Sequence, residues 1–416
     1  MKIAIIGTGI SGLTCAYLLN RQHDITVFEA GDSIGGHTAT VDIEMADGER
    51  HAIDTGFIVY NEWTYPNFIR LLAKLGITGQ KTEMSFSVHD DRSGLEYGGN
   101  NLNTLFTQRI NLLRPGFLRM VRDILRFNKA SIADLEAGHL PADTTLGHYL
   151  QANNYSKEFI AHYLVPMGAA IWSASTTVML AFPLLFFVRF LKNHGLLSIS
   201  DRPQWYVIPG GSREYLAPLT RDFSHRIHTS TPVTGIQRLG EGVTLTSTRG
   251  TEYFDAVIIA SHSDQALAML QDASTPEREI LSAIPYQANE VVLHTDTRLL
   301  PRHKRAWSSW NYHLTADQQP HAVLTYDMNI LQGLHSAHTF CVTLNHTSAI
   351  DPSRILRQFS YSHPVFTLAG MEAQQRWHEI NGVNHTWFCG AYWRNGFHED
   401  GVASALRVCE AFGETL

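Results

Sequence analysis

The sequence predicts an α/β protein with a parallel β-sheet, and three features of its first 36 residues support this. An apolar run, KIAII, is followed by a glycine turn, Gly7-Thr8-Gly9-Ile10-Ser11-Gly12, and a segment expected to be helical. A second apolar run, ITVF, ends at Glu29, and a further glycine pair, Gly35-Gly36, comes next. Strand, glycine turn, helix and second strand in this order are typical of a Rossmann-like dinucleotide-binding unit.

Each residue of this pattern has a physical role. Gly7 permits the tight turn after the first strand, and Gly9 lets the backbone approach a pyrophosphate. Gly12 lets the helix pack closely on the strand while its N-terminal N–H groups face the phosphates. Glu29 follows Gly12 by 17 residues, at the place where a carboxylate accepts the hydroxyls of an adenosine ribose.

Composition limits the class of protein. With 416 residues the chain is longer than one ordinary domain, and 44% hydrophobic and 17% charged residues are typical of a soluble globular protein. The net charge of −7 disfavours nucleic acid as a partner. The four cysteines form no CxxC pair and the 22 histidines show no HExxH spacing, so we expect no disulfide framework and no metal site.

Targeting signals are not expected either. The apolar N-terminus resembles a signal peptide, but cleavage near Ala16 would destroy the glycine turn. The longest apolar run, from Val178 to Leu191, is broken by Pro183 and Arg189 and is too short for a membrane span. A reducing, cytoplasmic setting, possible also at the periphery of a membrane, fits these features best.

The rest of the chain alternates between helical and strand-like patterns. In the first half we expect a strand over Ile53–Tyr60, a helix from Pro66 to a stop at Gly76, a hairpin in residues 84–99, a helix over 115–136, and helices to about residue 195. In the second half we expect a Pro209-Gly210-Gly211-Ser212 turn, paired strands near Pro232–Ile236 and Gly242–Leu245, a buried strand over Asp255–Ala260, mixed elements over 266–379, and a final strand and a helix from about Gly401.

This order predicts a discontinuous dinucleotide-binding domain with a second domain threaded through it. Residues 1–75, 205–265 and 380–416 are assigned to the first domain. An α+β substrate domain takes residues 76–204 and 266–379.

Several of these motifs together resemble a known family. The GxGxxG turn, Glu29, Gly35-Gly36, the Pro209–Ser212 turn and the terminal Gly390…Gly401 segment are similar to the FAD-dependent amine-oxidase, phytoene-desaturase and protoporphyrinogen-oxidase superfamily. Segments 170–173, 193–197 and 396–401 resemble a bacterial subgroup of NAD/FAD-binding oxidoreductases that is linked to modification of fatty acyl chains.

The resemblance implies FAD as the cofactor and a set of contacts for it. The residues it assigns to the pyrophosphate are Gly7, Gly9, Ile10, Ser11, Gly12, Gly35, Gly36, His37 and Thr38. Those it assigns to the adenosine are Glu29, Ala30 and Val233, and those near the isoalloxazine and ribityl are Thr55, Gly56, Phe57, Gly390, Glu399, Asp400, Gly401 and Val402. A helix starting near Gly401 would aim its positive end at flavin N1 and O2.

Two positions depart from the superfamily pattern. His37 stands where the superfamily usually has Arg, and Ala391 stands where an acid usually follows the terminal glycine. His37-Thr38 is also similar to a His-Thr dipeptide that carries covalent flavin in fumarate-reductase relatives. We expect non-covalent FAD, with His37 as a neutral phosphate contact.

The sequence also lacks a second dinucleotide motif. Gly240-Glu241-Gly242 is interpreted as a hairpin turn, so a dedicated NADPH domain is not expected. Electrons from the substrate would then pass to oxygen, a quinone or another external acceptor.

The substrate region is predicted less specifically. Residues 159–197 are rich in large apolar side chains, which fit either a lipid-like substrate tunnel or ordinary core. Tyr60, Trp172, Tyr312 and Tyr326 are candidates for an aromatic cage, and His194 and His398 for flavin neighbours. No catalytic residue is assigned, because hydride transfer to a flavin can require only positioning and desolvation.

Residues 109–129 are unusually basic for this acidic chain. Arg109, Arg114, Arg119, Arg122, Arg126 and Lys129 face one acid, Asp123, and Leu118, Val121, Leu125 and Ile132 lie beside them at helical spacing. Such a helix is either a solvated face or a contact for anionic lipid or an acyl carrier.

These observations favour an FAD-dependent oxidase or desaturase that takes a hydride from an apolar substrate, plausibly a fatty acyl chain. A flavin amine oxidase is the first alternative. A flavin- or lipid-binding protein without turnover is the second.

Overall fold

The structure, a computed structural model, describes residues 1–141, 143–317 and 321–416. The strands are β1 (Lys2–Ile6), β2 (Asp24–Phe28), β3 (Thr40–Glu44), β4 (Arg50–Asp54), β5 (Tyr60–Asn61), β6 (Gln80–Thr82), β7 (Phe86–Asp90), β8 (Leu95–Gly98), β9 (Trp205–Val207), β10 (Ile227–His228), β11 (Val233–Leu239), β12 (Gly242–Ser247), β13 (Gly250–Phe254), β14 (Ala256–Ile259), β15 (Tyr286–His294), β16 (Trp310–Leu314), β17 (Leu324–Asp327), β18 (Cys341–Leu344), β19 (Ile355–Pro364) and β20 (Thr386–Phe388). The α-helices are α1 (Ile10–Leu19), α2 (Pro66–Leu75), α3 (Leu102–Leu105), α4 (Pro115–Glu136), α5 (Leu146–Ala152), α6 (Lys157–Phe159), α7 (Val165–Trp172), α8 (Thr176–Leu180), α9 (Leu184–Asn193), α10 (Leu216–Thr220), α11 (Ser263–Met269), α12 (Thr275–Ser282), α13 (Met328–Gln332), α14 (Leu368–Gln375) and α15 (His398–Glu410).

The predicted parallel sheet is present, with the strand order β10-β2-β1-β14-β20. Its strands come from residues 2–28, 227–259 and 386–388, so all three predicted pieces of the dinucleotide-binding domain contribute. β1 and β14 are apolar on both faces because layers cover both sides of the sheet. The predicted domain boundaries themselves stay a prediction.

Alternating residues of β1 show the three layers of this unit. Ile3 and Ile5 pack with the apolar faces of α1 and α15. Ala4 and Ile6 point to the opposite side, where they pack with the antiparallel sheet β11-β12-β13. The predicted Rossmann-like α/β fold with a ββα layer order is therefore confirmed.

A seven-stranded mixed sheet forms the second part of the molecule. Its strand order is β19-β15-β18-β17-β16-β7-β8, and only the β16–β7 pair is parallel. Helices α4 to α9 share an apolar core with side chains of this sheet. The long antiparallel pair β15–β19 brings Asn289 opposite Tyr361, close to the edge that faces the glycine loops.

Most of the predicted elements are confirmed. α2 runs from Pro66 to a left-handed Gly76, α4 covers 115–136 as predicted, and Gly240-Glu241 joins β11 to β12. Residues 86–98 form the predicted hairpin. In the part of the chain that is described, no helix combines the length and apolarity needed to cross a bilayer.

Two element boundaries differ from the prediction. The strand expected over Ile53–Tyr60 ends at Asp54, because the next residues leave the strand and bond to the glycine-pair loop. Phe57 N donates to His37 O at 2.7 Å. The last helix begins at His398, three residues before Gly401, because Asp400 accepts from Phe397 N at 3.0 Å and caps an earlier turn.

Candidate functional site

The N-terminus of α1 has the geometry that the glycine turn predicts. Gly7 has a φ of +101°, and a Cβ on Gly12 would lie 2.0 Å from the Gly7 carbonyl oxygen. A Cβ on Gly9 would meet nothing within 4 Å, so space is open beside it. No side chain caps this helix and its first turn has no acid. Its first N–H groups are therefore available to an anion.

The glycine pair lies directly against this turn. Gly35 and Gly36 have φ values of +117° and +56°, which favour glycine, and Gly35 N donates to Thr8 O at 3.1 Å. A Cβ on Gly36 would lie 3.1 Å from the Cα of Gly9. The two predicted phosphate loops are thus brought together.

Glu29 lies at the end of β2, beside the glycine turn. Its Oε2 accepts from Thr8 N at 2.9 Å, and its Oε1 accepts from Gly31 N at 2.8 Å. Ala30 is exposed, and Val233 is half-buried at the start of β11. The carboxylate is half-buried and held in place by backbone donors, and its contact with a ribose stays a prediction.

The start of α15 meets the start of α1. A Cβ on Gly401 would lie 2.6 Å from Cγ2 of Ile10 and 3.0 Å from Oγ of Ser11, so only glycine permits this close approach. Val402 is fully buried beside it. Gly390 N donates to Ser404 Oγ at 2.8 Å, which ties the end of β20 to the same helix. The predicted residues of the terminal segment therefore converge on the glycine turn.

The Glu399 side chain has a different environment from the one expected. Its carboxylate accepts from Phe68 N at 2.9 Å, from Asn67 N at 3.1 Å and from Asn67 Nδ2 at 2.7 Å. Burial raises the pKa of Glu399, against these hydrogen bonds. The carboxylate therefore caps α2, and only its backbone remains a candidate for the predicted flavin contact.

Asp400 is buried and bonded within its own helix. It accepts from Phe397 N, and Arg394 Nε lies 3.9 Å from its Oδ1. Burial raises the pKa of Asp400 to about 7. Its carboxyl group therefore titrates near neutral pH, in the first turn of α15, which faces the candidate cofactor site.

Thr38 and Phe57 belong to one buried cluster with His398. Thr38 Oγ1 bonds to the hydroxyl of Tyr215 and lies 3.1 Å from His398 Nε2. The His398 ring stacks on Phe57 with centroids 3.6 Å apart and planes at 13°. Burial holds the pKa of His398 well below its usual value, so the ring is neutral. Thr38 is therefore engaged with side chains of the protein, and its predicted phosphate contact stays untested.

Thr55 and Gly56 join this cluster to the mixed sheet. Thr55 Oγ1 lies 3.0 Å from the hydroxyl of Tyr361 on β19. A Cβ on Gly56 would lie 2.2 Å from the His37 carbonyl oxygen, so the two loops touch through backbone. The loop assigned to the isoalloxazine thus lies between the glycine pair and β19.

His37 lies in a group of rings that the sequence did not predict. Its centroid is 5.3 Å from Tyr361, 5.5 Å from His363 and 6.1 Å from His262. Its Nε2 is buried and has no hydrogen-bond partner among the residues that the structure describes. Burial, together with His363 and His262, lowers the pKa of His37 to about 3, and burial lowers that of His363 to about 4. The partner-free ring nitrogen and the open space at Gly9 fit a bound dinucleotide.

No local pattern could have identified this group. Its members lie on the glycine-pair loop, before α11 and at the end of β19, and each of these three segments is about 100 residues or more from the next. Only the packing of these elements brings the rings together. In the described ranges, no three His, Cys, Asp or Glu side chains are placed to hold a metal ion.

A pocket extends from His363 into the substrate region. Its lining residues are Trp172, Ser173, Ala174, Val178, Phe182, Gln287, Asn289, His363, Pro364, Val365 and Phe366. Asn289 Nδ2 lies 3.0 Å from His363 Nδ1, and Gln287 Nε2 donates to Ser173 O at 3.1 Å. None of the lining residues is acidic. The pocket thus combines apolar and aromatic walls with a few amide and imidazole groups.

The proposed aromatic cage is only partly in this pocket. Trp172 lines it, with its ring 4.7 Å from that of Phe182. Tyr60 packs against Tyr206 instead, and Tyr312 and Tyr326 lie in the mixed sheet on β16 and β17. His194, the other candidate flavin neighbour, stacks on Phe190 at 3.9 Å and lies 5.9 Å from Phe397.

The Pro209–Ser212 turn docks on a buried carboxylate. Asp54 Oδ1 accepts from Ser212 N at 2.8 Å and from Thr40 Oγ1 at 2.6 Å. A Cβ on Gly211 would lie 2.3 Å from Cγ2 of Thr40. Burial raises the pKa of Asp54 to about 6. The turn therefore holds the segment that follows β9 against β3 and β4, beside the Thr55 loop.

Comparison with known proteins identifies the family. Residues 10–412 match the family described as flavin containing amine oxidoreductase. A Mycobacterium tuberculosis protein, AofH, whose name assigns it to the flavin-containing monoamine oxidases, is 24% identical over 293 residues. That match covers 66% of this chain and 60% of the relative, so the chain spans less than two thirds of its length.

Solved structures share the fold at low identity. Cyclohexylamine oxidase from Brevibacterium oxydans superimposes with a TM-score of 0.70 at 17% identity, covering 99% of both chains. A fatty acid isomerase from P. acnes that produces CLA has a TM-score of 0.69 at 14% identity, covering 99% of this chain and 98% of the other. With the family match over nearly the whole sequence, the chain belongs to the flavin-containing amine oxidoreductases, whose cofactor is FAD.

Proposed function

We propose that the protein is an FAD-dependent oxidase or desaturase that removes a hydride from an apolar substrate of the fatty acyl class. The observation that carries this proposal is the pocket that begins at His363, whose ring lies 5.5 Å from that of His37 on the glycine-pair loop. FAD supplies the two-electron acceptor, and oxygen, a quinone or another external acceptor would take the electrons onward.

The position of the cofactor is part of the proposal. The pyrophosphate would bind at the uncapped start of α1 and at the glycine pair, where N–H groups and open space coincide. The adenosine would lie on Glu29 and Ala30. The isoalloxazine would lie along Thr55–Phe57, with the start of α15 behind it.

The protein's own residues would position the substrate and exclude water. Trp172, Phe182 and Phe366 provide apolar surface for an acyl chain, of which the pocket volume of about 250 Å³ would hold only a part. The His363 ring is neutral, because burial lowers its pKa to about 4, so the pocket offers no fixed charge on its lining. The Asn289 amide already bonds to His363 and Asn345, and Gln287 Nε2 donates to Ser173 O. The amide oxygen of Gln287 would therefore orient a polar head group by accepting a hydrogen bond from it.

Amine oxidation is the second candidate. It is favoured by the aromatic wall around Trp172 and by the names of AofH and of cyclohexylamine oxidase. A cationic amine would lack a carboxylate partner among the residues that line the pocket. The name of the P. acnes fatty acid isomerase supports the acyl proposal on the same fold.

Anaerobic bleaching of the flavin separates the candidates. The purified yellow protein is mixed without oxygen with saturated and unsaturated acyl lipids or with primary and cyclic amines. Bleaching by acyl lipids alone supports the proposal, whereas bleaching by amines alone overturns it in favour of amine oxidation. No bleaching by either class, with lipid still bound, supports a binding protein without turnover.

A matched pair of variants connects this reaction to the pocket. Val178 lines the pocket from α8, and Thr177 is exposed on the same helix. Val178→Trp should lower the bleaching rate at least tenfold without changing the flavin content, because the larger ring fills the pocket. Thr177→Trp should leave the rate unchanged. Equal rates in both variants would mean that the substrate binds elsewhere.

Acid precipitation tests the attachment of the cofactor. Non-covalent FAD should appear entirely in the yellow supernatant after the protein is precipitated. A yellow pellet from the wild type together with a colourless pellet from His37→Ala would show instead that His37 carries covalent flavin.

A further inference from the structure

The large exposed apolar side chains of the protein concentrate in one segment. Half of the twelve in the described residues lie between positions 102 and 125, with exposures from 43% to 78%. They are Leu102, Ile110, Leu112, Leu113, Leu118 and Leu125. Four of them precede α4, and all six are aliphatic. We call residues 102–129 the basic-apolar segment.

The structure changes the sequence interpretation of this segment. Leu118 and Leu125 are exposed as an amphipathic surface helix requires, but Val121 and Ile132 pack against the core. The most exposed apolar residues both lie before α4: Leu102 begins α3, and Leu113 lies on the turn that connects α3 to α4. The apolar surface is therefore centred on this turn rather than along the helix.

Positive charge surrounds the same surface. The segment contains six basic residues and one acid, in a chain whose net charge is −7. The acid, Asp123, is buried and accepts from Ser156 N at 2.9 Å. Arg119 pairs with Glu158, and Arg126 lies 4.0 Å over the ring of Tyr155. Arg114 and Lys129 are exposed and make no ion pair within the part of the chain that is described.

We propose that the basic-apolar segment is a docking surface for an anionic lipid bilayer. Exposed leucines at the turn would enter the boundary between head groups and acyl chains, and the surrounding cations would attract anionic head groups. Exposed leucines beside exposed Arg and Lys side chains are the composition by which an amphipathic surface binds an anionic membrane.

The underside of the segment connects it to the candidate pocket. Phe117, Met120 and Phe127 point inward from α4 and belong to the same apolar core as Trp172 and Phe182. A bilayer at this surface would therefore lie next to the part of the protein that lines the pocket. This link rests on the proposed apolar substrate, whereas the docking itself does not.

Vesicle flotation of the FAD-loaded protein tests the docking directly. We expect binding to vesicles of phosphatidylglycerol and phosphatidylcholine, little binding to phosphatidylcholine alone, and a loss of binding as sodium chloride is raised. Equal binding to both vesicle types, or binding to neither, would overturn the proposal. Because flotation needs no turnover, failure of the acyl-oxidation proposal leaves this result unaffected.

Matched variants separate the segment from the rest of the surface. Leu113→Glu should reduce the bound fraction at least tenfold, whereas Leu239→Glu, at an exposed leucine on β11, should not. The pair Arg114→Glu and Lys129→Glu should also reduce binding, while Arg278→Glu on α12 should not. Unchanged flavin content and melting temperature show that the variants fold.

Other occupants of this surface give different outcomes. Wild-type protein that is a dimer in solution and becomes monomeric in Leu113→Glu would assign the segment to a second copy of the chain. Binding to an acidic acyl carrier that survives without vesicles and is lost in Arg114→Glu would assign it to a protein partner. Either result, without salt-sensitive flotation, would overturn the bilayer proposal.

Discussion

The two helices that begin at the candidate cofactor site start in different ways. α1 has no side-chain cap and no acid in its first turn, and its glycine turn leaves open space at Gly9. α15 begins with Glu399 and Asp400, and both carboxyl groups are already bonded. Asp400 caps its own helix through Phe397 N, and Glu399 caps α2.

At this place in the fold, the start of α1 is open to a ligand, whereas the start of α15 is used to pack helices together. The first N–H groups of α1 can donate to an external anion, because no acceptor among the described residues satisfies them. Glu399 instead fixes α15 against α2, and Asp400 caps the first turn of α15. The start of α15 then lies beside Ile10, where Gly401 permits contact. Substitutions on the two sides should therefore affect FAD binding and stability in different proportions.

The largest effect is expected at Gly12. Gly12→Ala would place a methyl group against the Gly7 carbonyl, so the helix must shift away from β1. We expect the free energy of unfolding to fall by about 3 kcal/mol and FAD to be lost on purification. Urea unfolding and the flavin content per chain measure both effects.

Gly9→Ala is the control for this change. The added methyl group meets no protein atom within 4 Å but occupies space proposed for the pyrophosphate. The flavin-free protein should lose no more than about 1 kcal/mol, while FAD affinity falls strongly. A Gly9→Ala protein that binds FAD like the wild type would contradict the position proposed for the phosphates.

A smaller loss of stability is expected at Glu399. Glu399→Ala removes the acceptor of two backbone N–H groups at the start of α2, which should cost about 2 kcal/mol. Glu399→Gln keeps one acceptor oxygen and should cost less. If the flavin absorbance spectrum shifts while stability does not, the carboxylate contacts the flavin and does not stabilise the start of α2.

The pH dependence of stability tests Asp400. Its folded pKa of about 7 lies above the usual value of 3.8, so the folded state holds a proton that the unfolded state releases. Stability from this group is therefore present below about pH 4 and is lost as pH rises to about 7. The difference between wild type and Asp400→Asn in urea unfolding, measured across this range, isolates the contribution. A constant difference would show that the carboxyl titrates normally.

The smallest effect is expected at Glu29. Glu29→Gln replaces a charged acceptor by a neutral amide, and should weaken FAD binding about tenfold, or about 1.4 kcal/mol. Titration of the flavin-free protein with FAD, followed by fluorescence quenching, measures this. Asp32→Asn, at an exposed neighbouring acid, should leave the affinity unchanged. Equal loss in both variants would indicate a general charge effect.

Local patterns predicted the elements around the glycine turn well. Gly7, Gly9 and Gly12 have fixed spacing because one turn, one strand and one helix create the phosphate site within a few residues. Pro66 and Gly76 likewise predicted the two ends of α2, because the residues that start and stop a helix act over a single turn. The start of α15 was placed three residues late, because Asp400 lies inside the helix and caps it from there.

The amino-acid sequence alone determined the dinucleotide unit, its layer order and the family, since these depend on short-range glycine geometry and on strand patterns. Only the tertiary structure decided that Glu399 bonds to α2, that His37, His262 and His363 share one buried site, and that the exposed leucines gather before α4. These contacts join residues far apart in sequence. Burial, and with it the pKa of each group, depends on packing that no local pattern encodes.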